Sequence, residues 1–355
     1  MATRNGRRPP SRPLGVAVVG LGYWGPNLVR VLGEVDGCEV AAVCDHDEAA
    51  LAKISRRYPA VHQTTSFEDV LADDCVDAVA IVTPVGTHFE LGRAALEAGK
   101  HVFVEKPMAG SIADAETLVA MAEQRGLTLM PGHTFLYSPP VNAVRELIQS
   151  GQLGEIYFIS TSRVNLGLHQ SDASVIWDLG PHDFSILRYW LEETPVRVSA
   201  MARGCVIPDI PDVAFINLEY ASSTAVHVEL SWLAPSKLRR TAVVGSEKMV
   251  VYDDTSNEPV RVFDSGVTLP PPSSFGEYKL TYRTGDIVSP RVDVGEPLAL
   301  ELADFCDAIL TSRTPRSSAQ LGLSVIQVLD AIDRSLECGG GPVDTAVGAV
   351  GAPTP

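Results

Sequence analysis

The chain has 355 residues and a formal net charge of −16, with 45% apolar and 20% charged residues. This length and composition predict a globular protein of about two domains around a sizeable hydrophobic core. The strong negative charge disfavours nucleic acid and anionic membrane surfaces as partners.

The six cysteines are scattered along the chain without a CxxC pair. This distribution disfavours a disulfide framework and a zinc site, so we predict no bound metal and a reducing, cytoplasmic compartment. The sequence contains no apolar run of about 18 residues, and we therefore predict no membrane span. Residues 1–13 and 339–355 are rich in proline, glycine or basic side chains, and we expect both to be disordered tails.

A glycine-rich turn follows the first predicted strand. The apolar run Leu14–Val19 indicates a strand buried on both faces. The next six residues read GLGYWG, a helix pattern follows, and a second strand over 39–44 ends at Asp45. Strand, GxGxxG turn, helix, strand and acid in this order are typical of dinucleotide-binding units. An ordinary glycine-rich turn in an α/β unit is the alternative.

Each part of this pattern has a physical role. Gly20 permits the tight turn, Gly22 lets the backbone approach a pyrophosphate, and Gly25 lets helix and strand pack closely. The N-terminus of the helix attracts the anion. Because Asp45 can accept both hydroxyls of an adenosine ribose and would repel a 2′-phosphate, we predict NAD as the cofactor rather than NADP. The expected contacts to the cofactor in this segment are Gly20, Gly22, Tyr23, Trp24, Gly25 and Asp45.

Strands and helices alternate up to residue 138, which predicts a doubly wound parallel sheet, the Rossmann arrangement, over 14–138. After residue 154 the strand-like runs follow one another closely, interrupted by a helix around 178–191. We expect 139–338 to be a second α/β domain with a large, mostly antiparallel open sheet. Two helices within 298–336 would close this domain, and 265–295 would be a long surface connection.

Two further segments of the first domain follow buried strands at their carboxyl ends, where ligands bind in such sheets. They are TPVGTH, residues 83–88, and Glu105-Lys106-Pro107. Partial burial and a cationic nicotinamide would lower the pKa of Lys106, while a lysine that snorkels or pairs with Glu105 is an equal alternative. For His88 the alternative is a residue that only begins a helix. The candidates for cofactor contact here are Thr83, Pro84, His88, Glu105 and Lys106.

An acid and a histidine stand four residues apart in the segment WDLGPHD. On a helix, Asp178 and His182 would share one face. An acid beside a histidine favours the imidazolium and fixes the ring, which suits proton transfer to or from a hydroxyl. The alternatives are Asp178 as an N-cap and His182 as a core residue; Pro181 also favours a helix that begins after Asp178. The other candidates for substrate contact are His133, Asn165 and His169.

Taken together, GLGYWGPN after the first strand, EKP after the fifth and D-x-x-x-H in the second half resemble the Gfo/Idh/MocA superfamily of oxidoreductases, over about residues 14–341. The segment before Asp178 departs from it, lacking the paired glycines of many members. The resemblance implies a nicotinamide cofactor and a C-terminal sheet that makes dimer or tetramer contacts. It also implies oxidation of a hydroxyl, or reduction of the ketone, on a sugar, inositol or nucleotide-linked sugar. Residues 164–186 resemble members associated with nucleotide-sugar pathways.

The resemblance assigns catalytic and substrate-contacting roles to Lys106, Asp178 and His182. We expect His182, oriented by Asp178, to remove the hydroxyl proton while Lys106 donates a hydrogen bond to the oxygen. Two alternatives stay open. One is an NAD-dependent glycosidase on the same scaffold, and the other is a non-catalytic NAD(H)-binding regulatory protein.

Overall fold

The computed structural model describes residues 12–167, 169, 173–268 and 281–345. The described chain divides into two compact units, the first made of residues up to 110, 116–132 and 298–319, and the second of the rest. The two closing helices thus fall in different units, although the sequence pattern placed both in the second domain. In the first unit, Phe305 of the earlier closing helix packs edge-on against Phe103 with ring centroids 5.8 Å apart, and Ser317 donates a 2.6 Å hydrogen bond to the carbonyl of Pro131.

The sheet of the first unit has six strands in the order β3-β2-β1-β4-β5-β6, all parallel. This confirms the doubly wound sheet. Its strands are β1 (Leu14–Val19), β2 (Cys38–Cys44), β3 (His62–Thr64), β4 (Ala78–Ile81), β5 (His101–Glu105) and β6 (Leu129–Gly132). The helices that connect or cover them are α1 (Gly25–Leu32), α2 (Glu48–Arg57), α3 (Phe67–Ala72), α4 (His88–Glu97), α5 (Ile112–Arg125), whose first turn is grouped with the second unit, and α8 (Pro297–Thr311).

Local signals in the sequence account for several of these elements. All six residues of β1 are buried, as the continuous apolar run predicts for a central strand. Asp47 caps α2 by accepting a hydrogen bond from the N–H of Ala49, and Ser66 caps α3 by accepting one from the N–H of Asp69. Packing then places these helices around the central strands.

The sheet of the second unit has nine strands in the order β14-β13-β12-β11-β7-β10-β9-β8-β15. Among the described strands of this second sheet, only β7 and β10 pair in parallel, so the sheet is mostly antiparallel, as expected. The strands are β7 (Ile156–Leu166), β8 (Arg197–Arg203), β9 (Val213–Glu219), β10 (Ala225–Ser231), β11 (Leu233–Gly245), β12 (Met249–Asp253), β13 (Val260–Thr268), β14 (Thr281–Val288) and β15 (Val343–Asp344). The helices are α6 (Pro139–Gln149), α7 (Val175–Leu191) and α9 (Ala319–Glu337).

The structure corrects the expected surface connection over 265–295. This stretch contains the end of β13 and all of β14, which pair antiparallel, with Val267 opposite Tyr282. All but one of the residues of β14 are exposed. An edge strand of this kind lacks the burial-driven alternation from which strands are predicted, so the sequence pattern concealed it.

Both stretches expected to be disordered contain residues with defined contacts. Arg12 forms a 2.8 Å ion pair with Asp77, and β15 pairs with β8 inside the stretch expected to be a C-terminal tail. A single long-range ion pair or a two-residue bridge has no signature in local composition, which is why the sequence did not reveal either one.

Helix α7 begins earlier than the position of Pro181 suggests. Ser174 caps it by accepting a hydrogen bond from the N–H of Trp177, and Pro181 lies inside the helix. The hydroxyl of Ser174 outweighs the proline as a start signal because it satisfies a backbone donor of the first turn. Asp178 therefore belongs to the helix, and the alternative in which Asp178 precedes the helix is wrong.

No helix in the described ranges is both long and apolar enough to cross a membrane.

His101, at the start of β5, makes the stability of the first unit depend on pH. Burial lowers the pKa of His101 from 6.5 to about 4, against a smaller opposing effect of Asp77, and its Nδ1 accepts a 2.9 Å hydrogen bond from the N–H of Thr128. The neutral ring is favoured in the fold, so its contribution is present above the unfolded pKa and is lost as pH falls towards the folded one. Between about pH 7.5 and 5, wild type should lose about 2 kcal/mol more free energy of unfolding than His101→Asn.

Urea denaturation at the two pH values checks this prediction. His62→Asn is the matched control, because His62 lies exposed on the edge strand β3 of the same sheet. Equal pH dependence in wild type and His101→Asn would contradict the assignment.

Candidate functional site

The glycine-rich turn of the first unit forms a cradle for an anion. Gly20 has a φ of +94°, and an added Cβ there would lie 2.6 Å from the carbonyl oxygen of Val82. A Cβ on Gly25 would collide with the carbonyl oxygen of Gly20. At Gly22, by contrast, no described atom lies within 4 Å of the Cβ position. Close packing thus requires glycine at positions 20 and 25, while the open space at Gly22 fits a pyrophosphate.

Helix α1 begins at Gly25, three residues after the open position at Gly22. Pro26 occupies its first turn and no side chain among the described residues caps it. The partial positive charge of this helix end is therefore available to an anion.

Asp45 is held against the same turn. Its Oδ2 accepts a 2.6 Å hydrogen bond from the N–H of Leu21, and its Oδ1 accepts a 2.8 Å hydrogen bond from the N–H of Asp47. Each carboxylate oxygen can accept a second hydrogen bond, which matches the two hydroxyls of a ribose. The cradle and this oriented carboxylate fit a dinucleotide.

Two aromatic side chains stand at the rim of the turn. Tyr23 is 85% exposed and Trp24 is 49% exposed, and their rings meet edge to face at 5.4 Å. Large exposed aromatic rings are available for stacking on a ligand. The contact of Tyr23 and Trp24 with the cofactor stays a prediction.

His88 joins the two other predicted segments of the first unit. Its Nδ1 lies 2.9 Å from the carbonyl oxygen of Pro107, and its Nε2 lies 2.8 Å from that of Thr83. The side chain is buried, and burial lowers the pKa of His88 although both carbonyls favour the protonated ring. Because both ring nitrogens face backbone oxygens, His88 can influence a cofactor through the loops that carry Thr83, Pro84 and Lys106.

The segment after β5 places Glu105 beside Lys106. The Glu105 carboxylate accepts a 3.2 Å hydrogen bond from the N–H of Lys106; burial raises the pKa of Glu105, and the charge of Lys106 opposes this. Sequence reasoning missed Gly132 on the neighbouring strand β6. A Cβ there would lie 3.0 Å from Cζ of Phe103 and 3.3 Å from Oε2 of Glu105, so the glycine leaves room for both side chains.

In the second unit, aromatic residues contact both members of the acid–histidine pair. The indole N–H of Trp232, which is 1% exposed, donates a 3.1 Å hydrogen bond to Oδ2 of Asp178. The ring of Phe135 meets that of His182 edge to face, with centroids 4.9 Å apart and planes at 68°. Sequence reasoning missed both aromatics. The only signal was the position of Trp232 at the end of an apolar run, while nothing local marked Phe135.

The structure brings His169 towards Asp178 through one shared neighbour. Its ring packs against Trp232 with centroids 5.4 Å apart, and its Nε2 lies 3.6 Å from Oδ2 of Asp212. Burial favours the neutral acid, but hydrogen bonds from the N–H groups of Cys205 and Val206 lower the pKa of Asp212 below its usual value. His169 thus stands beside an ionised carboxylate.

The two remaining candidates differ in exposure. His133 is buried immediately before a 3₁₀ turn, Thr134–Tyr137, and Asn165 is half-buried near the end of β7. The contact of either residue with a substrate stays a prediction.

Two family models match the chain. The one described as the oxidoreductase family with an NAD-binding Rossmann fold (GFO_IDH_MocA) matches residues 14–133, and the GFO/IDH/MocA C-terminal domain matches residues 141–251.

Curated relatives extend the similarity over most of the chain. D-xylose 1-dehydrogenase (NADP(+)) 2 of Haloferax volcanii is 28% identical over 341 residues, covering 90% of this chain and 97% of the relative. UDP-N-acetylglucosamine 3-dehydrogenase of Acidithiobacillus ferrooxidans is 25% identical over 315 residues, covering 87% of this chain and 96% of the relative. The structure of the latter matches with a TM-score of 0.75.

The crystal structure of GenD2 from gentamicin A biosynthesis, in complex with NAD, matches with a TM-score of 0.80 over 98% of this chain and 100% of that chain. At 24% identity this likeness supports the fold alone.

Proposed function

The chain belongs to the Gfo/Idh/MocA oxidoreductase family, and from this premise we propose that it is an NAD-dependent sugar dehydrogenase or ketoreductase. It would transfer a hydride between the nicotinamide and a secondary hydroxyl or ketone of a sugar or cyclitol, with a nucleotide-linked sugar preferred. The observation that carries the proposal is the arrangement on α7, where Asp178 and His182 lie one helical turn apart and each is contacted by an aromatic side chain.

The proposed chemistry assigns one task to each side chain. His182 takes the proton of the reacting hydroxyl, and Lys106 donates a hydrogen bond to the oxygen as negative charge develops there. Asp178 orients His182, and the hydrogen bond from Trp232 fixes one oxygen of Asp178 in turn. When bound, the nicotinamide supplies the hydride acceptor or donor. In reduction His182 returns the proton to the oxygen.

The cofactor preference depends on Asp45. Removing its carboxylate in Asp45→Ala eliminates the acceptors for the ribose hydroxyls and the repulsion of a 2′-phosphate, so the preference for NADH over NADPH should fall by at least about tenfold. Fluorescence titration with each reduced cofactor measures this without a sugar. Asp45→Asn is the matched variant, because its amide keeps an oxygen that can accept a hydrogen bond from a ribose hydroxyl but removes the negative charge that repels a 2′-phosphate. An unchanged ratio of the two dissociation constants in Asp45→Ala would contradict the proposal, and NADP would then be the cofactor to test.

The substrate class is proposed from the named relatives. One is named for UDP-N-acetylglucosamine, another for D-xylose, and a third, from Saccharopolyspora erythraea, for inositol. The test is a screen for NAD reduction over inositols, free sugars, sugar phosphates and UDP- or dTDP-sugars. Net formation of NADH supports the dehydrogenase. Release of a cleaved sugar without net NADH would favour the glycosidase, and binding of NADH without turnover would favour the regulatory protein.

We also propose that the outer face of the second sheet mediates self-association into a homodimer or homotetramer. Phe158 on β7 is 45% exposed and Met201 on β8 is 65% exposed on the same face of this sheet, and burying such apolar side chains against a second copy of the chain would be favourable. Light scattering on the purified protein tests this, and the mass of a monomer at micromolar concentration would contradict it.

A further inference from the structure

A buried ion pair joins β7 to Asp183, the residue of α7 that follows His182. Asp183 follows His182 in the chain and is 3% exposed, as is Arg163 on the neighbouring strand β7. Nε of Arg163 donates to Oδ2 of Asp183 at 2.5 Å, and Nη2 donates to Oδ1 at 3.4 Å. Thr161, also on β7, donates a further 3.0 Å hydrogen bond to Oδ1. Three hydrogen-bond donors of the sheet therefore hold the carboxylate of Asp183, the residue after His182 in the chain.

The same guanidinium reaches His182 from a second direction. The central carbon of the Arg163 guanidinium lies 4.6 Å from the centroid of the Phe135 ring, and that ring packs against the imidazole of His182. Arg163, Asp183, His182 and Phe135 thus form a closed ring of contacts, in which Asp183 and His182 are joined by the chain. Arg163 contacts both the carboxylate of Asp183 on α7 and the ring of Phe135.

Stability is a poor explanation for this ion pair. The attraction within a buried pair is commonly offset by the desolvation of both charges. In addition, Nη1 of Arg163 is buried without a hydrogen-bond partner among the described residues, which carries a cost. The guanidinium therefore contacts Asp183 and Phe135 while one of its own N–H groups lacks a hydrogen bond within the described part of the chain. A role in fixing the positions of these two side chains explains its placement better than a contribution to stability does.

We propose that Arg163 is a positioning residue for His182. Through Asp183 it holds the segment of α7 that carries the histidine, and through Phe135 it holds the plane of the imidazole. The catalytic consequence rests on the proposed proton transfer by His182, whereas the effect on the imidazole itself does not.

Arg163→Lys is the decisive variant. It keeps the positive charge, so Asp183 is not left without a counter-charge, but an ammonium cannot pair with the carboxylate through a fork and stack on Phe135 at the same time. The probe is the Cε1–H signal of His182 in protein labelled with ¹³C-histidine, identified by its loss in His182→Gln. Because Phe135 and a positive charge at position 163 are both retained, a change of this signal in Arg163→Lys reports a changed arrangement of the His182 ring against Phe135.

Arg145→Lys is the matched control. Arg145, on α6, forms a 2.5 Å ion pair with Glu192, the residue that caps the C-terminus of α7, and lies 4.3 Å from the centroid of the Tyr189 ring. The same substitution there removes the same types of contact far along the helix from His182. Circular dichroism and thermal melting establish that each variant is folded.

We expect the His182 signal to shift or broaden in Arg163→Lys and to stay unchanged in Arg145→Lys. With the sugar found in the screen, kcat should fall by about ten- to a hundredfold in Arg163→Lys, while KM for the sugar and Kd for NADH stay within about twofold. A folded Arg163→Lys protein with an unchanged His182 signal overturns the proposal.

Two further results keep the test decisive. If Arg163→Lys does not fold, Phe135→Leu replaces it, because that variant keeps the ion pair and removes only the ring. An unchanged kcat in Phe135→Leu then overturns the proposal. If His182→Gln retains full turnover, the catalytic role of His182 fails, and the signal in Arg163→Lys still decides whether Arg163 positions the ring.

Discussion

Replacing His182 with alanine is expected to lower kcat by about two to four orders of magnitude, the contribution of a positioned general acid–base. The side chain lies one helical turn from Asp178 and packs against Phe135, so the proposed proton transfer depends on a group that the fold holds in place. The Kd for NADH should stay within about twofold, because the cradle and Asp45 belong to the other unit. Initial rates with the sugar from the screen and fluorescence titration of NADH measure the two quantities.

His62→Ala is the control for this variant, because His62 is exposed on the edge strand β3. Turnover of His182→Ala at the rate of His62→Ala would transfer the proton-transfer role to Lys106. A loss confined to KM for the sugar would instead reduce His182 to a binding residue.

Replacing Lys106 with methionine is expected to lower kcat by about two to three orders of magnitude, the usual loss when one donor to a developing oxyanion is removed. Lys106 follows the buried strand β5, and Glu105 and the His88 contact to Pro107 constrain the backbone on either side of it. Methionine keeps the length of the stem and removes the charge. The Kd for NADH should again change little.

Lys53→Met is the control for Lys106, because Lys53 is exposed on α2. A normal kcat with a raised KM in Lys106→Met would show that the lysine binds the substrate equally in the ground and transition states. If both residues act on one oxygen, the double variant with His182→Ala should lose much less than the product of the single losses. If the loss of kcat in the double variant equals the product of the two single losses, Lys106 and His182 act independently.

Much of the first unit could be predicted from local sequence. The apolar run of β1, the glycines after it and the capping residues Asp47 and Ser66 each act over a few residues, so each leaves a readable signal. The assignment of α8 to the first unit did not follow from the sequence. It depends on contacts such as that of Phe305 with Phe103, about two hundred residues apart in the chain, and periodicity carries no information about such a partner.

The site shows the same division. Short motifs contain Lys106, Asp178 and His182. The four-residue spacing of Asp178 and His182 by itself predicts that they share one face of a helix. Trp232, which contacts Asp178, lies between β10 and β11, and Arg163, which contacts the residue after His182, lies on β7. In the sequence they are an ordinary aromatic residue and an ordinary arginine.

By itself the sequence therefore determined the family, the parallel sheet of the first unit, the glycine cradle with its acid, and the identity of the groups proposed for proton transfer. These depend on residue type and on spacings of a few residues, which set backbone conformation and local hydrogen bonding. Only the tertiary structure decided that the carboxylate of Asp45 lies on the turn, that Arg163 pairs with Asp183, and that Phe135 packs against His182. Such contacts join residues far apart in the chain, and they exist only once the sheets and helices have packed.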